Sequence, residues 1–160
     1  MWRNDKNAYG WVAIVLHWLM ALLLLGLVIL GLWMVTLSYA DPWYHRAPFV
    51  HRSVGVVFFL LLLARLAWRF ANPRPAFEAG VSRRERQLAL LIQAAFYLLM
   101  LAIPVTGYLM STARGRAVDV FGLFELPATW QLENKVDMLG QMHETLAWLL
   151  VSLLALHVAG

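Results

Sequence analysis

Cysteine is absent from all 160 residues. That absence excludes disulfides, thiolate-held iron–sulfur clusters and the covalent Cys-x-x-Cys-His attachment of c-type haem. Any metal centre must rest on histidine, methionine or carboxylate. Charge is scarce too. Charged residues make up 14% of the chain and hydrophobic residues 62%, where a soluble domain carries about 25% and 45–50%. Acidic residues are the scarcer sign, nine against 13 basic. The resulting pI near 9.9 does not mark a nucleic-acid binder. The basic residues form no interleaved basic-aromatic surface; they sit between apolar runs, which is a topology pattern. No phosphate-binding loop, nucleophile–base pair, internal repeat or low-complexity segment is present.

What is present is four long apolar runs, at about 11–37, 49–70, 88–110 and 138–160. Each reaches the roughly 20 residues that cross about 30 Å of hydrocarbon. Backbone groups in lipid must be satisfied within the segment, so the runs are read as helices. The expected fold class is all-α, an integral membrane four-helix bundle, with 1–160 as one transmembrane domain. The first run has a basic start and a small-residue stretch at Ser38-Tyr39-Ala40. A signal-peptide core has only about 7–15 apolar residues, so this longer run is read as a span. Asn72-Pro73-Arg74-Pro75 ends the second helix, because proline cannot continue one. Pro104, with Gly107 behind it, predicts a kink in the third.

Lysine and arginine favour the cytoplasmic side. Arg3 and Lys6, with Arg65, Arg69, Arg74, Arg83, Arg84 and Arg86, place eight of the 13 basic residues at one end. Both termini are therefore expected in the cytoplasm of a bacterial inner membrane protein. The first and third connections then face the periplasm. Tryptophans near the span ends suit contact with the lipid interface.

Ionisable residues inside spans are costly and mostly functional. Four of the five histidines lie in spans. His143 and His157 are 14 residues apart on the fourth helix. That spacing returns to nearly the same face, about 40° short of four turns, with roughly 21 Å between them along the axis. The expected topology puts His51 at the depth of His143 and His17 at the depth of His157. Two pairs form, with none left over. Bis-imidazole ligation of two stacked haems fits this pattern, since bundle cores host cofactors between facing helices. Small residues at helical spacing from the histidines leave room for a wide, flat group: Gly55, Gly140, Ala13, Ala21 and Ala147. The plainer reading is that small residues permit close helix packing and that histidines bond across helices or line a proton path. Zinc is a weaker rival, because His51 and His143 supply two ligands where a structural zinc takes four. His45, beside Pro42, Trp43 and Tyr44, reads as interfacial. Haem propionates need cations. Arg52 is placed for the periplasmic haem, and Arg65, with Arg3, for the other. The plainer reading of these arginines is snorkelling to the interface.

On these residues the chain resembles the bacterial cytochrome b-561 family. The likeness covers essentially the whole length. It is carried by Leu16-His17-Trp18, His51-Arg52-Ser53-Val54-Gly55 and Ala102-Ile103-Pro104-Val105-Thr106-Gly107. Arg114-Gly115, Phe121-Gly122-Leu123, His143-Glu144-Thr145-Leu146 and Leu156-His157 complete it. The resemblance implies two b haems on His17, His51, His143 and His157, and electron exchange with the quinone pool. Some members of the family take an electron from superoxide at the periplasmic face and pass it to ubiquinone. Others move electrons for a partner oxidoreductase. The chain departs from the family in two places. Gln93 stands where related sequences often carry histidine, and the chain ends at Gly160 where the family continues into a basic tail.

The expected function is therefore dihaem electron transfer through the membrane, with superoxide as donor and ubiquinone as acceptor. Superoxide is a small anion, and Arg114 and Arg116 in the third connection can steer it. Five acidic residues share that connection and the adjoining helix start, so a solvated loop is the bland reading. Two other functions stay open: a haem-bearing subunit serving a partner dehydrogenase, and a haem-free transporter or proton-conducting bundle.

Overall fold

The computed structural model describes residues 1–159. Four long helices carry the chain: α1 Trp11–Met34, α2 Arg46–Phe70, α3 Arg83–Thr112 and α4 Val136–Ala159. All four are long and apolar enough to cross a membrane. The protein is thus an all-α integral membrane four-helix bundle. Gly160, where the sequence reading ends the fourth span, lies outside the described residues.

Local chemistry sets the helix ends. α3 begins ahead of its apolar run because Ser82 and Glu85 form a capping box. The Ser82 backbone N–H donates to Glu85 Oε2 at 2.7 Å, and the Glu85 N–H donates to Ser82 Oγ at 3.3 Å. Two otherwise unpaired donors are satisfied by this exchange. α2 begins at Arg46 and takes Pro48 into its first turn. Proline fits there because its missing N–H would have had no helical partner. α3 runs on through Pro104.

α1 packs on α2, α3 packs on α4, and α2 meets α3 more lightly. At mid-height these helices share a core of Met20, Phe58, Leu62, Met100 and Leu150. Leu150 is seven residues from both His143 and His157. The packed core therefore lies between the two histidine levels.

The third connection holds an element the sequence reading did not anticipate. β1 (Val118–Val120) and β2 (Phe124–Leu126) pair antiparallel, with Val118 opposite Leu126. Phe121 and Gly122 form the turn at φ 53° and 69°. Two consecutive left-handed residues are what a type I′ turn requires; with Leu123, whose N–H donates to the Val120 carbonyl at 3.0 Å, they make a three-residue loop between the paired Val120 and Phe124.

At the opposite end, the N-terminal arm is tied to the α2–α3 connection. Asn4 Nδ2 donates to the Pro73 carbonyl at 3.2 Å, and the Ala76 N–H donates to the Lys6 carbonyl at 2.9 Å. The backbone N–H groups of Asn7 and Ala8 both donate to Asp5 and hold its carboxyl below the usual carboxylate range.

Candidate functional site

His51 on α2 and His143 on α4 come together at the hairpin end. Their ring centroids lie 6.3 Å apart, with the planes at 75°. Two imidazole nitrogens each roughly 2.0 Å from one metal ion put the centroids about 6 Å apart. Both rings line a cavity of about 530 Å³. Gly55, Val56 and Phe59 of α2 form one side, and Pro104, Gly107 and Tyr108 of α3 the other. Val118, Phe124 and Leu126 of the hairpin complete it. The lining is overwhelmingly apolar, which suits a flat, greasy ligand with few polar handles.

The second nitrogen of His143 is held. Its Nδ1 lies 2.9 Å from the Ile103 carbonyl. A carbonyl only accepts, so Nδ1 carries the proton and Nε2 keeps the lone pair that a metal needs. Ligating histidines usually donate their other N–H in this way. Thr106 Oγ1 stands 3.4 Å from the same nitrogen, but it donates to Ala102 and Ile103 carbonyls at 3.0 and 2.9 Å. The approach of ring to backbone depends on Gly107. A Cβ there would stand 3.0 Å from His143 Cε1 and 3.1 Å from Nδ1. Gly31 of α1 does the same for His51, with 3.3 Å to Cε1. Among the described residues, His51 Nδ1 is buried without a hydrogen-bond partner.

The other histidine level is arranged differently. Arg65 Nη2 donates to His17 Nδ1 at 3.2 Å. The His157 ring stands edge-on to Phe96 at 5.4 Å. Arg65 and Arg69 both lie over the Tyr97 ring, at 5.9 and 5.3 Å. Arg69 also donates to Gln93 Oε1 at 3.0 Å. Gln93, which stands where relatives often have histidine, is thus a partner for an arginine.

Arg52, Arg114 and Arg116 line a second cavity, of about 390 Å³. It shares Arg52, Met110, Ser111 and Val118 with the histidine cavity. An apolar slot therefore adjoins a cationic end. The sequence reading gave Arg52 one task and Arg114 and Arg116 another; the fold gathers all three. Arg114 Nε reaches Glu133 at 3.9 Å, with side chains 68% and 78% exposed. A pair so exposed is weak, and it leaves the guanidinium available.

Two of the sequence-chosen glycines part company here. Gly55 lines the histidine cavity with open space above it. Gly140 instead abuts Met110 Sδ, where a Cβ would stand at 3.3 Å. Of the glycines that touch imidazoles, Gly31 was not singled out in the sequence and Gly107 was read only as part of a kink with Pro104; the Ile103 carbonyl was not foreseen.

A membrane-spanning bundle with paired histidines at a deep apolar cavity defines a b-type cytochrome architecture. Comparison with known proteins agrees. The family model for prokaryotic cytochrome b561 matches residues 8–160. The chain is 42% identical over 155 residues to cytochrome b561 homolog 2 of Escherichia coli (strain K12), covering 96% of this chain and 82% of that one. It is 28% identical over 155 residues to the probable superoxide oxidase CybB of Yersinia pestis, covering 93% and 84%. The chain belongs to the prokaryotic cytochrome b561 family, as a multi-pass protein of the bacterial inner membrane. Membership brings haem b and membrane electron transfer with it. The His51–His143 spacing, the buried His51 nitrogen and the apolar slot fit that cofactor.

Proposed function

We propose that the protein holds two b haems and oxidises superoxide at its hairpin face while reducing ubiquinone. The observation that carries the reading is the His51–His143 pair, 6.3 Å apart in an apolar cavity. On this reading His51 and His143 hold one haem, and His17 and His157 the other. Haem b bound between such rings supplies an iron that takes up and gives back one electron, at a potential set by ligand, hydrogen bonding and burial.

The chain's own residues have four tasks. Ile103, through its carbonyl, keeps the His143 proton on Nδ1 and presents Nε2. Gly31 and Gly107 let the rings sit close to neighbouring helices. The apolar walls keep water away from the rings. Arg52, Arg114 and Arg116 gather positive charge at the entrance. On this reading Arg52 would answer haem propionate, and Arg114 and Arg116 would face a small anion. Positive charge focused at a low-dielectric cleft raises the encounter rate with superoxide. The proposed overall reaction removes one electron from each of two superoxide ions. It releases two dioxygen molecules and converts ubiquinone to ubiquinol with two protons. The balance of basic residues supports cytoplasmic termini, which puts the hairpin face in the periplasm. The likeness to the Yersinia pestis protein supports superoxide as donor.

The test is purification in detergent, with oxidised and reduced visible spectra and a quantitative haem assay. Two b haems per chain are expected. His51→Ala and His143→Ala should each remove one haem, and His17→Ala and His157→Ala the other. A colourless protein after haem-supplemented expression overturns the reading.

A further inference from the structure

We propose that Ser53 is a positioning residue that latches the β1–β2 hairpin onto α2 and so seals the His51–His143 cavity. A serine hydroxyl inside a helix ordinarily donates back to its own helix. Thr106, Thr112 and Ser152 all do so here, donating to the carbonyls of Ala102, Tyr108 and Trp148. Ser53 does not. Its hydroxyl donates to the Asp119 carbonyl at 3.3 Å and accepts the Phe121 N–H at 3.2 Å. Both partners belong to the hairpin, 66 and 68 residues away in the chain. The Ser53 side chain is fully buried, at 0% exposure. The oxygen that makes both bonds is thus shielded from water while the hairpin is seated.

The hairpin needs this anchor. A two-stranded hairpin is marginal by itself in water, and each strand here has three residues. Its turn also carries a cost, because Phe121 is a bulky residue held at φ 53°, a region that side chains with a Cβ disfavour. Asp119 Oδ1 helps from within by accepting the Gly122 N–H at 2.6 Å. Phe121 packs edge-on against Phe49 of α2, with centroids 6.3 Å apart. Beyond β2, the Tyr108 hydroxyl donates to the Pro127 carbonyl and lies 3.2 Å from Thr129 Oγ1. The hairpin is thus held at its turn by α2 and at its exit by α3. Between those two anchors, Val118, Phe124 and Leu126 form the cavity wall. Ser53 lies two residues beyond His51, so the helix that carries a candidate ligand also carries the latch.

The sealing role rests on the proposed haem reading, whereas the latch itself does not. The test uses the full chain in detergent, with Ser53→Ala and, as a second lesion from the hairpin side, Asp119→Ala. Amide hydrogen exchange at Phe121 and Gly122 reads the latch without reference to any cofactor. We expect about a tenfold acceleration in Ser53→Ala, the factor that loss of one hydrogen bond of ordinary strength supplies. Haem content should stay at the wild-type value, while a hydrophilic reductant such as dithionite should reduce the hairpin-side haem several-fold faster, about as the exchange does. Unchanged exchange overturns the latch. Faster exchange with unchanged reduction overturns the seal. If Ser53→Ala does not fold, Ser53→Cys, whose thiol is a weak donor and acceptor, decides by the same two readouts; Asp119→Ala, which loosens the turn while both Ser53 bonds to the backbone stay possible, tests the seal alone. A wild-type protein without haem overturns the functional reading, and exchange still decides the latch.

Discussion

Gly107→Ala isolates the contact that orients His143. The added Cβ would stand 3.0 Å from Cε1, 3.1 Å from Nδ1 and 4.0 Å from Nε2. Carbon atoms in comfortable contact lie about 3.5–4.0 Å apart, so the ring must retreat by about 0.5 Å or more. The Nδ1 bond to Ile103 starts at 2.9 Å, and such a retreat takes it out of the normal range. The direct loss is about 0.5–1.5 kcal/mol. Disturbing the hydrogen bond behind a metal-bound histidine costs about 10–100-fold in metal affinity. In the opposite direction, replacing glycine by alanine inside a helix gains about 0.5–1 kcal/mol of backbone stability. The two effects nearly cancel in folding, so a melting curve would miss the damage. The assay has to read the cofactor: haem titration of the apoprotein, with low-temperature electron paramagnetic resonance of the oxidised form. Gly31→Ala meets His51 Cε1 at 3.3 Å and should be milder. Gly26→Ala meets nothing within 4 Å and should leave haem binding unchanged. If Gly107→Ala binds haem as tightly as wild type, with the same resonance spectrum, the argument from His143 is wrong.

Two further outcomes follow from the ends of the bundle. Replacing Arg114 and Arg116 together by alanine should slow superoxide oxidation about tenfold, the lower end of what electrostatic steering supplies, and should flatten its dependence on ionic strength; stopped-flow traces at low and moderate salt check both. Gly10→Ala would place a Cβ 2.5 Å from the backbone of Trp2 and Arg3, where no rotamer change gives relief; overpacking of this kind costs about 1–3 kcal/mol, and residues 1–9 should become sensitive to limited proteolysis while the spans remain protected.

Much of the bundle was legible because lipid leaves the backbone few choices. The four apolar runs gave the helices, and α1 begins at Trp11 as read, while α2 and α3 begin earlier than their runs for identifiable reasons. The Ser82–Glu85 capping box stood in plain view ahead of Leu88, but the apolar run was allowed to set the boundary. The second apolar run starts at about 49, whereas α2 begins at Arg46 and takes Pro48 into its first turn, where proline is tolerated. The hairpin also left a signal: Val118 and Val120, then Phe124 and Leu126, alternate with Asp119 and Glu125 around Phe121-Gly122. Three-residue strands are too short for that alternation to stand out. The glycines teach a different lesson. Spacing along one helix finds neighbours three and four residues away, and it duly picked Gly55 and Gly140. Gly31 and Gly107 act on histidines of other helices. Only the register between helices reveals them, and no single-helix periodicity encodes that register.

The two histidine levels differ in a way that bears on assembly. At the hairpin end, His143 already has its proton on Nδ1, fixed by a carbonyl that can only accept. At the other end, His17 Nδ1 accepts from Arg65. Its proton then belongs on Nε2, the wrong nitrogen to leave free for an iron. On the proposed reading, His17 becomes a ligand through Nε2 only after Arg65 lets go and the proton moves across the ring. A guanidinium does not leave a hydrogen bond in an apolar setting without another acceptor. A propionate is such an acceptor, and it would arrive with the haem that His17 is to bind. One movement of Arg65 would then free the ligand and neutralise the incoming anion. The hairpin-end site, by contrast, asks for no such exchange. There the His143 orientation is supplied by the fold, through Ile103 and Gly107, before any cofactor enters.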